Sequence, residues 1–111
     1  MSTLSTHAKE QSTYVIDVSF ADETAQAIVP NEAFWTLMDA QGTVINDRED
    51  VEIMDLSATV QIVLSDLDLA ILADEMDEGK RVLKIRAAYD SDLGMGLPLI
   101  DEVIFYVDNL L

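Results

Sequence analysis

The chain has 111 residues, with 22 Asp and Glu against 6 Lys and Arg, one His and no Cys, for a formal charge of -16 at pH 7. Because 50% of the residues are hydrophobic, the chain can fill one core, which excludes wholesale disorder and leaves no material for two full domains. The acidity opposes nucleic acid and anionic membrane as partners, and the missing Cys and lone His exclude a disulfide framework, a thiolate or multi-His metal site and a cysteine nucleophile.

Residues 1–12 are polar, follow neither the helical nor the strand period and contain no apolar run of the kind a secretory signal needs. They read as an extended, flexible N-terminal arm, with ordering on a partner as its functional use, ahead of a single domain over 13–111. No later segment approaches the roughly 18 consecutive apolar residues of a membrane span. The expected site of synthesis is the cytoplasm of the cell that makes the protein.

From Thr13 to Phe20, Tyr14, Ile16, Val18 and Phe20 alternate with their neighbours, which predicts a strand with one buried face. Gln26 to Val29 resumes as a short edge piece before Pro30-Asn31 breaks the ladder. Ala33 to Met38 sets Ala33, Trp35 and Leu37 on one face and Phe34, Thr36 and Met38 on the other. The turn Asp39-Ala40-Gln41-Gly42 then predicts a hairpin returning over Thr43 to Asn46. Val51 to Leu56 and Thr59 to Leu64 are two further strands. Ser65 ahead of Asp66 and Asp68 predicts a single helical turn, its acids complementing the helix dipole, or a long loop. The acids Asp74, Glu75, Asp77 and Glu78 form a solvated connection.

Lys80 to Tyr89 alternates again, with Arg81, Leu83, Ile85, Ala87 and Tyr89 on one face and Lys80, Val82, Lys84, Arg86 and Ala88 on the other. A turn over 90–96 precedes Leu97-Pro98-Leu99, and Val103 to Val107 is the last strand. About seven strands separated by turn signals predict an all-β antiparallel sandwich, with a short barrel as the rival.

The run Phe34-Trp35-Thr36-Leu37-Met38-Asp39-Ala40-Gln41-Gly42-Thr43-Val44-Ile45-Asn46 resembles the hairpin of bacterial and phage immunoglobulin-like domains, where a core Trp precedes an Asp-x-x-Gly turn. Arg81 to Ser91 and Leu97 to Val107 are similar to their final two strands. In size the chain most resembles the small immunoglobulin-like structural proteins of tailed-phage virions, although the Cys pair of antibody domains is missing. The resemblance implies an immunoglobulin-like β-sandwich and a non-enzymatic protein that decorates or cements a capsid, or serves in the tail or at the head-tail junction. Its partner would be a viral coat or tail protein, with self-association as a further contact and the virion as its location.

No catalytic or cofactor site is expected. His7 lies in the arm, away from any strand-end cleft, and the abundance of acids makes any one carboxylate pair uninformative. Gly94-Met95-Gly96 lacks the Lys and the strand-to-helix setting of a phosphate loop. Asp90-Ser91-Asp92-Leu93-Gly94 begins like a calcium loop but fails its spacing at Met95. The cations are more informative: Lys80, Lys84 and Arg86 share one strand face and form a positive stripe suited to an acidic partner. Phe34 and Met38 lie opposite the core Trp35 and form a contact surface if nothing covers them. Together with Leu4, His7 and Lys9 of the arm, these are the candidate partner-binding residues. An acidic DNA mimic is the alternative, disfavoured because the acids concentrate in loops.

Overall fold

Residues 2–3, 7–70 and 78–108 are described in the computed structural model, and they form an all-β chain. The strands are β1 (Ser2–Thr3), β2 (Ala8–Lys9), β3 (Thr13–Ser19), β4 (Glu32–Asp39), β5 (Val51–Glu52), β6 (Thr59–Ser65), β7 (Glu78–Ser91) and β8 (Gly94–Asp108), with one 3-10 turn at Asp66–Leu69. A six-stranded sheet runs β1-β8-β7-β4-β5, with β2 also on β8, and a two-stranded sheet pairs β3 with β6. The large sheet is mixed, because β1 and β2 run parallel to β8 whereas β8, β7, β4 and β5 are antiparallel neighbours.

Alternation decides which residues meet between the sheets. From the large sheet Ala33, Trp35, Leu37, Leu83, Ile85, Ala87, Val103, Phe105 and Val107 point inward, and from the small sheet Ile16, Val60, Ile62 and Leu64 close over them in one cluster. Tyr14 and Phe105 link the layers, their ring centroids 5.2 Å apart. Each fully buried Leu, Ile or Phe contributes about 1.5–3 kcal/mol, so this cluster is the main source of stability. Arg81, sent inward by the same alternation, is fully buried. Its guanidinium donates to the carbonyls of Lys80 and Ala70, at 2.9 Å each.

The β7–β8 hairpin sets the shape. A 15-residue strand at about 3.4 Å per residue is roughly 50 Å long, matching the molecule's longest dimension of 51 Å. The turn expected over 90–96 therefore narrows to Asp92-Leu93, and Leu97-Pro98-Leu99 belongs to β8. Pro98 fits there because even-numbered residues of β8 point their amide side away from β7, so the missing N–H falls on an open edge.

Several expectations are corrected. The arm is not free throughout: Ala8 and Lys9 pair with Val107 and Asp108, and Ala8 is fully buried. The return of the 33–46 hairpin reduces to one bridge, Met38 to Val44, because Asn46 and Asp47 take left-handed backbone (φ 54° and 56°) and turn the chain away. The piece over 26–29 contributes only the bridge Ala21 to Ala27, and the strand expected over 51–56 stops at Glu52. The acidic connection at Asp74, Glu75 and Asp77 lies outside the described residues.

Candidate functional site

Among the described residues no second layer of strands lies over the outer face of the large sheet. Register places its side chains in cross-strand rows: Phe34, Arg86 and Ile100 in one; Thr36, Lys84 and Glu102 in the next; then Met38, Val82 and Ile104; then Lys80 beside Tyr106. His7 and Lys9, beside β8, complete the face at the lower end. All the candidate partner-binding residues among the described residues, namely His7, Lys9, Phe34, Met38, Lys80, Lys84 and Arg86, thus converge on one surface. Leu4 lies outside the described residues.

Charge is unevenly distributed between this face and the rest. Of the six Lys and Arg in a chain of net charge -16, Lys9, Lys80, Lys84 and Arg86 stand here, while Arg48 and Arg81 are used elsewhere. Arg86 lies over the Phe34 ring, 5.0 Å from its centroid, and reaches Asp50 at 3.2 Å. Asp50 is fixed by its own N–H, which donates to Thr36 Oγ1 at 2.9 Å. Lys80 and Lys84 are exposed and have no ion-pair partner among the described residues. Between them lie the half-buried Met38, Val82, Ile104 and Tyr106, and Ile100 is 59% exposed. A shallow groove of about 280 Å³ lies on this face beside Met38, Lys84 and Arg86. Exposed cations set among apolar side chains form a surface suited to an acidic, partly apolar protein partner.

The arm is clasped to the same face. His7 Nδ1 lies 2.8 Å from Asp108 Oδ1, and Lys9 Nζ lies 3.4 Å from Asp108 Oδ2. The His7 ring sits 5.5 Å from that of Tyr106. His7, then Lys9, holds the Asp108 carboxyl below the usual Asp range against a smaller opposing effect of desolvation.

A second polar cluster ties the loops together. Asp68 Oδ1 accepts from Arg48 Nε at 2.8 Å and from Asn46 Nδ2 at 2.9 Å, and Oδ2 accepts from the Ser65 N–H at 3.2 Å. Burial acts to raise the Asp68 pKa, but these hydrogen bonds and the charge of Arg48 outweigh it and bring the carboxyl below its ordinary value. The sequence places Asp68 in a first turn after Ser65, complementing the helix dipole, and gives it no partners from another loop. The available signal was its position three residues after Ser65, from which a side chain can reach back to the cap N–H. The partners Arg48 and Asn46 come from a distant loop and leave no local pattern.

The remaining chemistry-bearing residues are engaged structurally. Asp90 Oδ1 accepts from Asn31 Nδ2 and from the Gly96 N–H, at 2.8 Å each, and so braces the β7–β8 hairpin. Among the described residues no three His, Cys, Asp or Glu are gathered as a metal site would require, and no helix is long and apolar enough to cross a membrane. No family model, no curated protein and no solved structure matches the chain.

Proposed function

We propose that the protein is a non-enzymatic structural component of a tailed-phage virion, an immunoglobulin-like sandwich that decorates or cements a capsid by docking the outer face of its large sheet on the major capsid protein. The observation that carries this reading is the convergence of Lys80, Lys84, Arg86, Phe34, Met38 and the arm residues His7 and Lys9 on one surface over which the described residues place no second sheet. A strongly acidic body that keeps its exposed cations together on an apolar face is oriented toward a partner by charge and held by apolar contact. Repetition over a symmetric shell multiplies such modest contacts into firm attachment. The resemblance of the runs 34–46, 81–91 and 97–107 to phage immunoglobulin-like domains supplies the virion part of the proposal. A DNA mimic would need an unbroken row of acids along its broad face, where this chain mixes Glu102 and Asp108 with Lys9, Lys80, Lys84 and Arg86.

Cosedimentation of the purified protein with assembled capsids, and separately with tails, tests this reading. Binding to capsids that is lost in K84E/R86E supports a decoration role. Binding to tails alone makes it a tail accessory, and binding to neither overturns the virion assignment.

A further inference from the structure

Among the described residues the small sheet consists of β3 and β6, and its two outer edges are unequal. Phe20 N–H donates to Ala58 O and Asp66 N–H donates to Ser12 O, which fixes the phase of the ladder: even-numbered residues bond between the two strands. The odd-numbered residues therefore turn their N–H and C=O outward. On β6 these are Thr59, Gln61, Val63 and Ser65. Ser57 occupies Thr59, and the Ser65 N–H is bound by Asp68. Among the described residues nothing bonds the outward N–H and C=O of Gln61 and Val63.

Elsewhere the chain protects its edges in the usual ways. The open part of β8 carries Pro98, its end is covered by β1 and β2, and β3 carries Asp17. On β6 there is no charge, no Pro and no bulge. The strand lies within the run 56–65, the longest stretch without a charged residue in the sequence. Beside it runs an open groove of about 550 Å³ floored in part by Trp35, and Val63 is 55% exposed. A two-stranded sheet facing a six-stranded one is also short of strands.

We propose that β6 pairs antiparallel with β6 of a second copy across a two-fold axis, joining the small sheets into a four-stranded β3-β6-β6-β3 sheet. The chemistry favours a second copy because an isologous contact sets each residue against its own strand's image. With the axis at Ile62, Gln61 faces the partner's Val63 with both sets of backbone groups bonded, and inward-pointing Val60 faces the partner's Leu64. No charge meets its own image at the seam, which is the condition a body of charge -16 must satisfy to pair with itself. The surface used lies on the sheet opposite the proposed docking face, so the two proposals stand or fall separately.

Sedimentation equilibrium of the full chain over a wide concentration range, at low and high salt, tests the pairing. The expected result is a reversible monomer-dimer equilibrium that tightens with salt as the repulsion between the two bodies is screened. Val63→Glu, at an exposed position facing Val15 in the monomer, should weaken dimerisation about tenfold or more, whereas Val63→Thr should dimerise like the parent. Amide exchange supplies an independent readout that needs no variant: the Gln61 and Val63 N–H groups should gain protection as concentration rises, and those of Val15 and Asp17 should not. A monomer throughout, open-ended association, or a dimer with freely exchanging Gln61 and Val63 amides would each overturn the proposal.

Discussion

The Arg86 guanidinium stands over the Phe34 ring, its central carbon 5.0 Å from the ring centroid, and the two residues are direct cross-strand partners on β7 and β4. The pair lies in the open. Arg86 also contacts Asp50, with both side chains about half exposed, so solvent screens the ion pair and its contribution to folding is small. Replacing Arg86 by Ala should therefore change unfolding free energy by less than about 1 kcal/mol in urea titration. The same substitution should weaken partner binding, because the planar guanidinium is the group best suited to a carboxylate.

Trp35 gives the contrast. It is 8% exposed at the meeting of the two sheets, next in sequence to Phe34 but on the opposite face. Trp35→Ala removes a large side chain from a site that other residues only partly refill, and should cost about 3–5 kcal/mol, read from the shift in the circular-dichroism unfolding curve.

The β layers were legible because alternation is a local signal. Trp35, Leu37, Leu83, Ile85 and Phe105 all bury as their period requires, and Lys80, Lys84 and Arg86 emerge together. What alternation could not convey was where strands end and what lies beside them. Thr43 to Asn46 has strand-like composition, yet left-handed Asn46 and Asp47 end the pairing after a single bridge. The arm looks unstructured in sequence because its partners, Val107 and Asp108, are a hundred residues away, and a two-residue parallel strand is too short to show a period. For the same reason most of the Asp68 cluster was invisible, since Asn46 and Arg48 reach it from a loop about twenty residues upstream.

That cluster makes stability sensitive to acid. A carboxyl whose folded pKa lies below its unfolded value stabilises the protein above the unfolded pKa and loses that contribution as pH falls through the folded one. Asp68, Asp22, Asp90 and Asp108 are all lowered, so urea midpoints should be flat near neutrality and fall below about pH 4. Asp68→Ala should cost about 1–3 kcal/mol at pH 7, below the cost of breaking a fully buried pair, because Arg48 is 42% exposed and regains water. Asp68→Asn should shallow the acid limb of the stability profile.

The arm offers a protease test. Lys9 is exposed, but its neighbour Ala8 is buried and its ammonium is held near Asp108. Asp108→Ala removes the acceptor shared by His7 and Lys9 and should speed tryptic cleavage after Lys9, while the unfolding midpoint moves little. Unchanged cleavage would mean that backbone pairing and Ala8 hold the arm without the clasp.

The central claim, that the outer face of the large sheet is the attachment surface, is tested most directly by site-specific photocrosslinking in assembled particles. A photoreactive residue in place of Ile100, exposed on that face, should link the protein to a coat or tail protein. The same group in place of Val15, exposed on the small sheet, should not. Crosslinks from position 15 to a coat or tail protein with none from position 100 would contradict the account.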